Sequence, residues 1–179
     1  VLCAAPYFLT GFIHLDGFMD VTDAVKSCRD LQRRREILKD SHVGSFAVIG
    51  CVLLILAQFA FCVSFNMKTD FRVLIVIPVV SRCCSALAVN VLPKMSTSQY
   101  SQKKVRPADI AIPCVLLALA LAFGFSLRFR CGLVLLVELA FYGQALLRGY
   151  RSLQGMNGDI SGYCLTISEL AALGALAIL

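Results

Sequence analysis

The sequence predicts an all-α protein: a polytopic helix bundle in a membrane, with about five complete spanning helices and a partial one at its N-terminal end. Three observations lead there. Hydrophobic residues make up 59% of the chain and charged residues only 16%, against about 25% charged in a soluble domain. Mean hydropathy is correspondingly high, at +0.80. The charges are also segregated: Phe46 to Phe65 contains no Asp, Glu, Lys, Arg or His, and twenty helical residues cross a hydrocarbon core of about 30 Å.

In chain order, the apolar piece Val1 to Ile13 is too short to span. It also lacks an initiator Met, which predicts a natural chain that starts upstream and leaves no signal peptide to assess. After the uncharged run at 46 to 65 come four more spans, Phe71 to Leu92, Ala108 to Leu127, Cys131 to Leu147 and Ile160 to Leu179. No repeat, low-complexity segment or Gly/Ser linker divides them, so residues 1–179 are predicted to form one membrane domain. The nine cysteines are scattered, mostly within apolar runs and with no CxxC spacing. They are expected to pack as small hydrophobes, without a disulfide or zinc role.

Twelve of the seventeen Lys and Arg residues fall in three connections, 14–45, 93–107 and 148–159. Lys68, Arg72, Arg128 and Arg130 fall at the other ends of the spans, and Arg82 lies inside one. The positive-inside rule makes the richer face cytoplasmic. The run Arg33-Arg34-Arg35 is then a topology signal in contact with anionic lipid. Nucleic acid is excluded as a partner, because the run is short, is interleaved with Asp30, Glu36 and Asp40, and sits between membrane helices.

The connection 14–45 also carries the chemistry. In a helix, Asp16, Asp20 and Asp23 stand at i, i+4 and i+7 and share one face. Like charges about 6 Å apart repel by roughly 3 kcal/mol per pair at an effective dielectric near 20, a cost that a divalent cation reverses. Hard oxygen donors select Mg²⁺ or Mn²⁺, ions that bind through a few carboxylates together with substrate phosphates. Two further blocks belong to the same face: Lys39-Asp40-Ser41-His42-Val43-Gly44, and Gly155-Met156-Asn157-Gly158-Asp159-Ile160-Ser161-Gly162. Each sets an acid beside glycine at a helix start, where backbone N–H groups approach phosphate closely.

These blocks resemble the cobalamin synthase family, the membrane-bound adenosylcobinamide-GDP ribazoletransferases. The resemblance rests on HLDGFMDVTDA at 14–24, RRREILKDSHVGSF at 33–46, Ser81-Arg82, GMNGDISG at 155–162 and Glu169. Ala47, Asn157 and Tyr163 depart from the family pattern at packing positions. The resemblance implies a transferase for substituted phosphate groups in the plasma or inner membrane, with its active site facing the cytoplasm. It would join α-ribazole, or α-ribazole 5′-phosphate, to adenosylcobinamide-GDP, release GMP and close the nucleotide loop of cobalamin.

Under that reading Asp16, Asp20, Asp23 and Asp159 hold Mg²⁺. Arg35 and Lys39, with Ser41, Gly44 and Gly158, contact phosphate, and Asp40 or His14 acts as general base beside Asp20. Two alternatives stay open on the residues alone. A CDP-alcohol phosphotransferase also gathers aspartates at a membrane face, but Met19-Asp20 stands where its Ala-Arg pair belongs. A cation or small-solute transporter would use Arg82, Glu138 and Glu169, which are ionisable groups within apolar spans.

Overall fold

A computed structural model describes residues 3–65, 69–95 and 105–179. Lys68, Lys103 and Lys104, which contribute to the charge asymmetry, lie outside the described residues. The described residues form eight helices: α1 (Ala5–Leu9), α2 (Ile13–Lys26), α3 (Leu31–Ile37), α4 (Ser45–Ser64), α5 (Val73–Val91), α6 (Pro107–Leu127), α7 (Phe129–Leu153) and α8 (Gly158–Ile178). Five of them, α4 to α8, are long and apolar enough to cross a membrane. They reproduce the five expected spans to within about two residues, except that α7 continues six residues past Leu147.

Sorting of side chains explains the arrangement. α4 and α6 turn large apolar groups outward, among them Leu53, Leu56 and Phe59 on α4 and Ile112, Leu119 and Phe123 on α6. An exposed belt of that size suits hydrocarbon rather than water. α8 is the central helix and packs against α2, α4, α5 and α7. One apolar cluster joins α2, α7 and α8 through Leu15, Val21, Leu153 and Ile160. A second, toward the opposite end, joins α5, α6, α7 and α8 through Val76, Ala120, Leu135 and Leu176.

The structure changes the expectation for residues 14–45, which are not simply a connecting loop. Residues 13–26 form α2, an element of the bundle. At 100° per residue, Leu15, Gly17, Phe18, Val21, Thr22 and Ala24 share one half of this helix, and all six are buried. Asp16, Asp20 and Asp23 occupy the other half. α2 is antiparallel to α8, since His14 lies beside Gly162 and Gly17 beside Asp159.

Two glycines permit that approach. A Cβ on Gly17 would stand 2.9 Å from the Asp159 Cα, and one on Gly162 would stand 3.1 Å from the His14 carbonyl oxygen. The segment before α8 is pinned as well. Met95 N–H donates to the Met156 carbonyl at 3.0 Å, and Met156 N–H donates to the Pro93 carbonyl at 2.8 Å. Gly155 admits this contact, because a Cβ there would crowd the Met95 side chain at 2.5 Å.

Candidate functional site

The acids converge at the end of the bundle where α2 finishes and α8 begins. Asp16 is exposed there, and Asp20, Asp23 and Asp159 are half-buried. Asn157 sets the position of Asp159. It caps α8 by accepting from Ile160 N–H at 2.9 Å, while its amide donates to the Asp159 carboxylate at 2.7 Å. The cap was legible as an Asn three residues ahead of an apolar run, but its orienting of Asp159 was not.

Asp20 is the hub of the group. Its carboxyl is pushed up to about 6, first by burial and then by the charges of Asp16, Asp159 and Asp23. Among the described residues, no Lys, Arg or His forms an ion pair with Asp16, Asp20, Asp23 or Asp159. Among the described residues, the charge at this end of α2 therefore has no ion-pair partner.

The donor set, consisting of carboxylate oxygens, suits a hard divalent cation. Among the described residues, however, no three His, Cys, Asp or Glu side chains converge closely enough to enclose an ion by themselves. An ion bound here would complete its shell with water and substrate oxygens, as Mg²⁺ ordinarily does.

Asp23 is turned toward α4. A Cβ on Gly44, the residue preceding α4, would collide with the Asp23 carboxylate, so Gly44 here makes room for a neighbouring acid. Beyond Asp23 opens a cleft of about 800 Å³ between the end of α2, α3 and the start of α4, with Arg29, Arg33 and Phe46 on its walls. Gly158, in the first turn of α8, has open space beside it. Lys39 and Ser41 are exposed in the connection before α4.

Three of the expected roles meet a different environment. Arg35, expected on phosphate, lies against α7: its Nε donates to the Leu153 carbonyl at 3.0 Å and its Nη2 to the Gln154 carbonyl at 2.9 Å. Arg34 reaches the Ser152 carbonyl at 3.4 Å. A helix end presents unsatisfied carbonyls and a partial negative charge, which draw cations. Two residues of the basic run thus tie α3 to α7, and Arg33 pairs with Glu36 at 2.8 Å. Replacing Arg35 by Ala, or by Lys, which cannot form the same fork, is expected to destabilise the protein by about 1–3 kcal/mol, read by thermal unfolding in detergent.

His14, expected as a base, lies on the buried half of α2, away from the acids. Its Nδ1 stands 3.5 Å from Arg82 Nη2. Arg82 pairs with Glu169, which also accepts from the Ser81 hydroxyl at 2.7 Å. Asp40 is exposed, and its carboxylate is held below the usual range by the His42 backbone N–H, then by the His42 ring. His14 and Asp40 are not brought together with Asp20. The Arg82–Glu169 pair gives two of the three in-span ionisable groups a partner inside the bundle, which lessens the case for a transport path. Glu138 is fully buried, with neither carboxylate oxygen hydrogen-bonded among the described residues.

Fold and site together define a multi-pass helical membrane protein with an acidic, hard-donor centre at its most basic end. Comparison with known proteins gives the family. The model described as cobalamin-5-phosphate synthase matches residues 1–177, and the chain belongs to that family. A Clostridium perfringens (strain 13) protein named adenosylcobinamide-GDP ribazoletransferase is 37% identical over 187 residues, covering 100% of this chain and 73% of that protein. One of the same name from Clostridium botulinum (strain Alaska E43) is 31% identical over 173 residues, covering 94% and 69%. Another, from Carboxydothermus hydrogenoformans, is 28% identical over 177 residues, covering 95% and 69%. No solved structure matches the chain.

Proposed function

We propose that this protein joins α-ribazole, or α-ribazole 5′-phosphate, to adenosylcobinamide-GDP and releases GMP, completing the nucleotide loop of cobalamin. The observation that carries the reading is the acid centre around Asp20, without an ion-pair partner among the described residues, in a chain of this family. In the reaction a ribazole-side hydroxyl attacks the phosphorus that bears the cobinamide. A new P–O bond forms, the bond to the GMP phosphate breaks, and the hydroxyl proton leaves to a base or to solvent. Such displacements are catalysed by in-line positioning and by neutralising charge on the leaving phosphate.

Asp16, Asp20, Asp23 and Asp159 are the proposed ligands of Mg²⁺, which when bound supplies that neutralisation. Asn157 holds Asp159 in place, and Gly158 leaves the backbone at the start of α8 open to a phosphate oxygen. The cleft beyond Asp23 takes the nucleotide, with Arg29 and Arg33 near its phosphates. Lys39 and Ser41 close over it from the connection before α4. Arg35 acts indirectly, by fixing α3 against α7. Of the two bases considered, Asp40 is the one able to approach substrate by movement of an exposed connection, since His14 is committed to the bundle interior. The basic end faces the cytoplasm of the plasma or inner membrane under the positive-inside rule.

The test is GMP formation from adenosylcobinamide-GDP by membranes carrying the full-length protein, with α-ribazole and with α-ribazole 5′-phosphate. Equimolar GMP and cobalamin product, dependent on the ribazole and abolished by EDTA, is the expected result. Ribazole-independent hydrolysis, or turnover unaffected by EDTA, overturns the corresponding half of the proposal.

A further inference from the structure

On the side of α2 away from the acids, α2, α4 and α8 part to leave a second groove, of about 310 Å³. Its floor is buried and aromatic: Phe18 and Tyr163 stack there with ring centroids 5.9 Å apart and planes inclined by 13°. Thr22 is among the lining residues, with its Cγ2 methyl toward Gly50. Two exposed cations, Lys26 and Arg148, stand at its edge.

Polarity along this groove is ordered by depth. Lys26 ends α2, and Arg148 lies five residues before the end of α7, so both belong to the basic end of the bundle. Leu54 lies nine residues into α4, and Leu170 twelve residues into α8. At 1.5 Å per residue the apolar wall therefore extends roughly 14–18 Å inward from those helix starts. Cations at headgroup level above an apolar channel match the profile of a phospholipid with an anionic headgroup.

We propose that this groove binds one anionic glycerophospholipid, with its phosphate against Lys26 and Arg148 and one acyl chain between α4 and α8. Gly50 sets the width: a Cβ there would stand 3.0 Å from Thr22 Cγ2 and 3.6 Å from the Phe18 ring. The flat base of α-ribazole would also match the aromatic floor. Placed there, however, it would have a helix of about 10 Å diameter between its hydroxyls and the acids.

Native mass spectrometry of the full-length protein, released from nanodiscs of equal phosphatidylglycerol and phosphatidylcholine, tests the proposal in the absence of any substrate. Its result is therefore independent of the reaction assigned above. One phosphatidylglycerol is expected to be retained in preference to phosphatidylcholine. Lys26→Gln combined with Arg148→Gln should reduce retention about tenfold, and Gly50→Val, which narrows the groove, should also reduce it. Arg128→Gln with Arg130→Gln, at the other end of the bundle, should leave it unchanged.

Gel filtration establishes that each variant is folded. If the double variant aggregates, Lys26→Gln alone, at an exposed position, reads the headgroup contact. Equal retention of the two lipids by the wild type, or undiminished retention by the folded Lys26 variant, overturns the proposal.

Discussion

Asp20→Asn is expected to abolish transfer, by 10³-fold or more, while making the metal-free protein more stable. Both effects come from the same placement. The Asp20 carboxyl is held at about 6, against a usual 3.8, by burial and by the charges of Asp16, Asp159 and Asp23. That difference corresponds to about 3 kcal/mol, and solvent screening at a half-exposed site reduces it to about 1–2 kcal/mol. The sign follows from linkage. A carboxyl whose folded value lies above its unfolded value favours the folded state most at low pH, and that advantage is lost as pH rises from about 4 through about 6.

The wild type in EDTA should therefore lose stability across that window and level off above it. Asp20→Asn, which cannot ionise, should lack this slope, matching the wild type near pH 4 and exceeding it by about 1–2 kcal/mol at pH 8. Thermal unfolding in detergent at a series of pH values reads the difference. Adding Mg²⁺ should raise the unfolding temperature of the wild type and leave the variant unmoved. A variant that is equally stable, equally responsive to Mg²⁺ and fully active would remove Asp20 from the site.

How much of this could be seen in the sequence depends on whether the information is local. The five spans are local, since each is a hydrocarbon-length apolar run, and all five are helices here. The end of α7 is hidden in the sequence because Arg148 and Arg151 stop the apolar run, although Gly149 and Leu153 continue the buried side of the helix. The acid face of α2 is equally local, being a matter of i, i+4 and i+7 spacing. The complementary face of the same helix, carrying Leu15, Phe18, Val21 and Thr22, was just as readable, and it marks residues 13–26 as part of the bundle rather than a loop.

Tertiary facts were out of reach. No spacing rule puts Asp159 beside Gly17, or turns Arg34 and Arg35 onto the carbonyls that end α7. A basic run has the same composition whether it meets lipid, phosphate or a helix terminus. The glycines divide in the same way: the sequence marks them as places of close approach, but only the fold says what approaches. At Gly17 and Gly162 it is a helix, at Gly44 a carboxylate, and at Gly158 open space.

Gly17 is the position where packing and chemistry meet, and Gly17→Ala should be costly on both counts. The added Cβ would stand 2.9 Å from the Asp159 Cα, 2.9 Å from its carbonyl oxygen and 3.3 Å from its carbonyl carbon. These are backbone atoms of the first turn of α8, and no rotamer change can move them aside. α2 and α8 must separate, which costs about 1–3 kcal/mol for a crowded contact of this kind. The same separation draws Asp159 away from Asp16 and Asp20, and misplacement of catalytic groups by about 1 Å lowers rates by about 10²-fold. Gly17→Ala is therefore expected to unfold at lower temperature and, in its folded fraction, to turn over at least tenfold more slowly. Gly158→Ala, with nothing near its Cβ, should unfold close to the wild type. Equal stability of the Gly17 variant and the wild type would mean that α2 and α8 do not cross at this glycine, and the acid centre built on that crossing would have to be redrawn.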